Sequence, residues 1–460
     1  MRISKKNLSF ICMMGIIFLC ACSKEVENQA TSVLLNNEEI MGSFTGTLNS
    51  GKADGIGKFK PDDAGWVYEG NFEIGQLIGN GTISSYDCDA NICGEKVFGL
   101  FDGTIEDFKL KEGSFKLKDG GEYNGQFADG NPVGEAEAVN LSVKYIIDEN
   151  EVSGCYTGKL LDGEPSGEGH LSADAISIDF LEEKLCGSYE GEVVDGKPSG
   201  NGKFVCEDDV LFEYDGLWNN GKMAGKGYLS TDIYTIKFSG VDRVGTYEGE
   251  TLDGLASGEG VFTAVSSEGN KYTYTGEFAN GTYNGVGERS FEDNIYSPAK
   301  GHYVDGEFAP TKLELVSYIG GVKDFVNYNM NEAANNFFEE HEDFFIAEDT
   351  KALDEFTNKE ITINELYKSP DKFGGELVKL NKLKIIQIRE EELAGYTVTW
   401  FIANDSKYNT VFVLALGELP NIYTGNRVNV TGLPVGLAAY SNRMGGQTNA
   451  CAIIASSVSK

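Results

Sequence analysis

Nine cysteines and three histidines are the residues of this 460-residue chain best suited to chemistry, and their spacing argues against most of it. A zinc site draws thiolates and imidazoles from short, clustered spacings, whereas His170, His302 and His341 lie far apart. Ser166, Ser199 and Ser257 each precede a glycine in the same kind of turn. They lack the Gly-x-Ser-x-Gly elbow of a serine nucleophile and no histidine accompanies them. Gly79-Asn80-Gly81, Gly167-Glu168-Gly169 and Gly258-Glu259-Gly260 look like pieces of a phosphate loop, but none opens a helical pattern after a strand with the third glycine. Asp62-Asp63 and Asp208-Asp209 lack the spaced oxygen ligands of a calcium loop. These residues read as turn and loop positions. The expectation is a non-enzymatic protein with no metal and no cofactor.

The amino terminus carries the one chemical modification that the sequence announces. Arg2, Lys5 and Lys6 precede an apolar run from Phe10 to Leu19, too short for the ~20 residues of a membrane span. The run ends in Leu19-Cys20-Ala21-Cys22, followed by polar residues. This resembles a bacterial lipoprotein signal, in which a small residue precedes the cysteine that becomes lipidated; Ala21 meets that requirement for Cys22 and Leu19 does not meet it for Cys20. The resemblance implies a signal peptide over 1–21, a lipid on Cys22 and a flexible linker over 22–42. The protein is then extracytoplasmic, lipid-anchored to the bacterial cell membrane. Six cysteines remain, in a compartment that permits disulfides. Cys88 and Cys93 flank what reads as a hairpin tip, and Cys186 and Cys206 flank a repeat hairpin. Both pairs are disulfide candidates, although spacing does not settle connectivity; Cys155 and Cys451 have no evident partner.

Between 43 and 310 a short phrase returns ten times: an aromatic, one residue, Gly, one residue, a second aromatic or aliphatic, then glycines at a turn. Its clearest copies are Tyr68-Glu69-Gly70-Asn71-Phe72 with Gly75, Gly79 and Gly81, and Tyr214-Asp215-Gly216-Leu217-Trp218 with Gly221, Gly225 and Gly227. Copies start at Phe44, Tyr68, Phe101, Tyr123, Tyr156, Tyr189, Tyr214, Tyr247, Tyr274 and Val304. Alternation within each copy has the strand period of two. In Tyr189-Glu190-Gly191-Glu192-Val193 the apolar positions share a face with Gly191 and the glutamates face water. A glycine lacking Cβ leaves room for a ring to lie on the strand, and Asp195-Gly196 is hairpin-turn chemistry. The pattern resembles the MORN repeat (membrane occupation and recognition nexus), which implies stacked antiparallel hairpins in an elongated sheet. Phe101 departs from it through loss of the glycine-rich turn, as do Leu160, Val193 and Thr251 at the second aromatic.

Composition changes after Pro310. Residues 311–360 read as a helical connector, with Leu313, Val316, Ile319, Phe325, Val326, Phe337, Phe338 and Phe344 as docking face and Asn331 as a cap. Ile361–Lys368 reads as a short helix stopped by Ser369-Pro370. Five strand runs follow, at 377–388, 396–403, 409–416, 427–433 and 450–458. Over 361–460 this resembles an OB-fold barrel, a kind that often binds oligonucleotides or oligosaccharides on one face. The resemblance places a candidate ligand face on Lys382, Lys384, Tyr396, Trp400 and Tyr408. The fold class expected is mainly β: an elongated antiparallel sheet of hairpins, a short helical segment and a small OB-like β-barrel.

Charge narrows the partners. The net charge is −34; residues 311–460 carry 14 Lys/Arg against 20 Asp/Glu, a net −6, which leaves −28 for residues 1–310. Such a field repels nucleic acid and anionic headgroups and favours a basic partner. The expected function is a membrane-anchored interaction or scaffold protein at the cell envelope, its array serving as an extended protein-binding surface. The alternative is binding of envelope polysaccharide or a small ligand by the carboxy-terminal domain.

Overall fold

The structure, a computed structural model, describes residues 23–35, 38–147, 150–206, 210–238, 240–292, 297–322, 326–346, 350–441 and 447–460. The signal peptide over 1–21, the lipidation assignment at Cys22 and Asp208-Asp209 lie outside them. The chain divides into two compact units. One runs to Ile178 and includes Cys186–Gly202; the other holds Asp179–Leu185 and Lys203–Lys460.

In the first unit, strands Glu38–Asn49, Lys52–Pro61, Val67–Glu73, Gln76–Ile92, Glu95–Glu106, Lys109–Leu117, Glu122–Ala128, Asn131–Ile147, Asn150–Leu161 and Glu164–Phe180 pair antiparallel, each with the next. In the second, Phe212–Asn219, Lys222–Phe238, Val241–Leu252, Leu255–Val265, Lys271–Ala279, Thr282–Phe291, Ala299–Val304 and Glu307–Phe308 do the same. The protein is mainly β, as the period-two alternation implies.

One local device explains the register. Gly216 and Gly227 stand opposite each other on paired strands, and a Cβ on Gly227 would lie 2.4 Å from the Tyr214 ring. The ring therefore covers a two-glycine floor. Immediately after Gly216 the ladder skips a residue, so the Leu217 carbonyl leaves the regular pairing, and the Tyr214 hydroxyl donates to it at 3.0 Å. The same bond to the carbonyl three residues on is made by Tyr68, Tyr123, Tyr156, Tyr189, Tyr247 and Tyr274, at 2.5–3.4 Å. A bulge that would leave a half-buried acceptor without its ladder partner is thus repaired by the ring that packs there.

Turns add a second device. Asp253 and Gly254 both have positive φ, 53° and 76°, the geometry of a two-residue hairpin turn. The Asp253 carboxylate accepts from the Gly225 amide at 2.7 Å, 28 residues back, while its own amide donates to the Gly225 carbonyl at 2.9 Å. Asp107 with Gly79, Asp162 with Gly134 and Asp195 with Gly167 repeat this two-point staple at the same spacing of 28. Each turn aspartate therefore also ties its hairpin to the preceding one. The degenerate copy at Phe101 keeps the sheet regular: its ring lies over Gly103 and Gly113, and Asp107-Phe108 replaces the glycine turn with two positive φ angles.

Residues 22–42, expected to form a flexible linker, are mostly strand. Ser23–Leu35 pairs antiparallel with Glu38–Asn49, Thr31 and Val33 are buried, and the Leu34 amide donates to the Gly75 carbonyl at 2.7 Å. The polar composition misleads because only the inward side of an edge strand needs apolar residues.

After the last hairpin come α1 (Lys312–Gly321), α2 (Glu332–Glu340) and α3 (Ile363–Lys368). Asn331 caps α2 as expected, its side chain accepting from the Ala334 amide at 2.8 Å. Strand Leu377–Leu393 pairs antiparallel with Tyr396–Asn404, which pairs with Thr410–Ala415. That strand runs parallel to Gln447–Ser459, which pairs with Arg427–Ser441, and Arg427–Ser441 pairs back with Leu377–Leu393. Alternate side chains enter two cores. Phe401, Val411 and Val413 pack with Ile363 and Leu366 of α3, whereas Trp400, Phe412 and Leu414 pack with Leu315, Ile319, Phe337 and Phe338 of α1 and α2. The helical segment is thus half of a core rather than a bare connector.

Candidate functional site

The solvent face of the hairpins is built by the residues between the ring-bearing positions. Along the second unit Glu248 stands opposite Val261, Thr275 opposite Glu288, and Glu259 opposite Glu277 on neighbouring strands. Two carboxylates abreast repel each other. The Glu277 carboxylate is held by the Val286 amide at 2.6 Å, and both residues of the pair are exposed. In the first unit the same face sinks into an open trough of about 670 Å³ whose lining includes Glu112, Ser114, Asn124, Gln126, Glu137 and Lys159. This is a polar surface of fixed spacing, set by the ring-and-glycine register beneath it.

The five residues expected to share a ligand face do not share one. Lys382 and Lys384 are exposed on strand Leu377–Leu393, where the Lys382 amide donates to Asn429 Oδ1 at 3.0 Å. Tyr408 is 84% exposed in the loop organised by Asp405. The half-buried Tyr396 spends its hydroxyl on the Pro310 carbonyl at 3.1 Å. Trp400 is only 5% exposed, because α1 and α2 cover the side of the sheet that carries it. A surface stacking platform at Trp400 is therefore corrected to a core position.

Trp400 instead forms part of a cleft of about 310 Å³ left between α1 and the sheet. Arg389 opposite Trp400 and Glu391 opposite Val398 come from one strand pair, Leu393 and Leu414 flank them, and Tyr318, Ile319 and Val322 close the helix side. Arg389 and Glu391 face each other at 4.0 Å, so the mouth carries both signs of charge. Sequence reading picked out Trp400 and the basic run of its neighbouring strand. It missed the α1 residues because they lie some 70 positions earlier and share no spacing pattern with the strand.

The six described cysteines are free thiols, which corrects both disulfide candidates. The tip between Cys88 and Cys93 is not a tip: the turn is Cys93-Gly94 itself, with Cys88 five residues back along the strand opposite Gly99. Cys93 Sγ donates to the Gly163 carbonyl at 3.0 Å. Cys186 faces solvent and Cys206 the interior, so they do not present sulfurs to each other. Burial pushes the Cys88, Cys93 and Cys451 thiols up to about 12, far from the thiolate that nucleophilic work needs. Each histidine has a local partner: His170 meets Glu190, His302 meets Glu314, and His341 packs against Phe337, Phe344 and Phe356.

No curated protein matches the chain. The MORN repeat family model matches residues 189–209, 214–230, 247–267 and 274–295. The copies matched include those led by Tyr189, Tyr214, Tyr247 and Tyr274, whose rings cover glycines and whose hydroxyls cap bulges. The chain carries MORN repeats, four of them between residues 189 and 295.

Proposed function

We propose that this protein is a lipid-anchored, non-enzymatic scaffold at the bacterial cell envelope, and that its hairpin array, extending over 43–310 as MORN-type repeats, is an extended surface for a basic protein partner. The observation that carries the reading is the exposed Glu259–Glu277 pair, held abreast by strand register within an acidic array. A cation placed between two such carboxylates relieves their repulsion, which gives a basic partner a gain that a neutral one lacks. The ring-over-glycine floor supports the reading too, since it fixes the spacing of those charges. Membrane attachment rests on Cys22. Cys22→Ala is expected to move the protein from the membrane to the soluble fraction on cell fractionation; unchanged membrane association would overturn the anchor.

A second reading is ligand binding by the carboxy-terminal domain. The pairing that returns to strand Leu377–Leu393 supports an OB-like barrel, and the cleft at Trp400 supports a site sized for one small ring. In this reading Arg389→Ala in the full chain abolishes binding of envelope glycan fragments on an array; equal binding by the variant would exclude the cleft.

A further inference from the structure

The cleft between α1 and the sheet has a wall and a mouth of different chemistry. Arg389, Glu391 and Leu393 alternate along one strand and so share the side that α1 covers. Deeper in, Ile319 and Leu414 are buried, Trp400 is nearly so, and the half-buried Tyr318 closes the helix side. Both aromatic walls are fixed by neighbouring rings: Tyr318 packs on Phe308 of the last hairpin at 5.4 Å, and Trp400 lies 6.3 Å from Phe412. A guest that enters meets mostly hydrocarbon and ring surface. A sugar held there would leave most of its hydroxyls without partners, a cost that an apolar guest does not carry.

The mouth asks for charge. The Arg389 and Glu391 side chains are 64% and 49% exposed and stand 4.0 Å apart, a loose pair that adds little in water. Among the described residues neither makes another ion pair. Each can therefore exchange its partner for a closer one. A carboxylate suits the guanidinium fork, and an ammonium suits Glu391. Because the two stand two positions apart on one face, a guest that satisfies both must carry its charges close together. A volume of about 310 Å³ admits one small molecule and no oligomer. We infer that the cleft takes a free aromatic amino acid, its ring against Trp400 and Tyr318, its carboxylate on Arg389 and its ammonium on Glu391. This rests on the second reading above, that the cleft holds a ligand, and makes that ligand a zwitterion instead of a sugar.

The test is calorimetric titration of DL-phenylalanine into the full chain, beside phenylethylamine, which lacks the carboxylate, and phenylpropionate, which lacks the ammonium. Saturable phenylalanine binding at one site is expected, with each analogue at least ten-fold weaker. Arg389→Gln should weaken phenylalanine at least ten-fold without weakening phenylethylamine. Glu391→Gln should do the same without weakening phenylpropionate. Equal weakening of all three ligands in either variant would mark a structural effect and overturn the assignment. So would analogues that bind as tightly as phenylalanine, or undiminished phenylalanine binding by both folded variants. Absence of saturable phenylalanine binding overturns the amino-acid class. Glycan fragments that still bind through Arg389 would then keep the cleft as a ligand site, whereas their failure to bind would remove the second reading with it.

Discussion

The Tyr214 hydroxyl shows how one atom serves the repeat. Its ring needs glycine beneath it on two strands, and its oxygen closes the acceptor that the adjacent bulge exposes. Tyr214→Phe keeps the ring and removes the bond, so it should cost about 1 kcal/mol, the usual net worth of one such hydrogen bond. Denaturant unfolding of the full chain checks this, and an unchanged midpoint would show that the Leu217 carbonyl finds another donor. The aromatic-over-glycine arrangement was legible in the sequence because ring and glycine recur two positions apart. The hydroxyl's partner was not, since nothing in the spelling marks where a ladder skips a residue. The signal for the aspartate staple was present in the constant spacing of 28 between Gly and Asp. It is hidden because Asp-Gly already explains itself as a turn.

At the scale of elements, Glu314 joins the last hairpin to α1. It completes the capping box with Thr311, accepts from the His302 amide at 3.1 Å and meets His302 Nδ1 at 2.8 Å. Burial works to raise its pKa, but the hydrogen bonds from the His302 ring and the Thr311 and His302 amides outweigh it and hold the carboxyl below its ordinary 4.5. A carboxylate favoured in the folded state contributes stability above its unfolded pKa and loses it as pH falls through the lower folded value. Glu314→Gln should therefore weaken the first turn of α1 at neutral pH by about 1 kcal/mol, as loss of a cap does. Hydrogen exchange of the α1 amides should rise about five-fold at pH 7, and the wild-type excess protection should disappear as pH falls below 4.5. Exchange rates equal in the two proteins at pH 7 would refute the joint. Sequence reading gave helix over 311–360 with Asn331 as a cap and a short helix ending at Lys368, as α3 does; it did not separate α1 from α2 or mark the Thr311 and Thr362 caps. It did not show that α1 and α2 cover Trp400, because helix and strand are paired by tertiary packing alone.

For the molecule as a whole, the concentration of negative charge in residues 1–310 and the regular strand register are two sides of one arrangement. Alternation sends the repeat rings to one side, where Tyr123, Tyr156, Tyr214 and Tyr247 are fully buried, and the carboxylates to the other, beside exposed aliphatics such as Val261 and Val286. Interaction through that charged side must weaken with salt, since screening at ~8 Å in physiological buffer shortens further as ionic strength rises. The repeat class was legible because it is written many times over. The strand at 23–35 was not, being written once in polar residues.

The most direct measurement is zero-length carbodiimide cross-linking of the full chain in intact cells, followed by mass spectrometry. Glu259 and Glu277 should join to lysines of one recurrent partner protein, and the yield should fall several-fold when the assay is repeated on cell membranes in high salt. Cross-links confined to residues 361–460, or a yield from the array that salt leaves unchanged, would contradict the scaffold account.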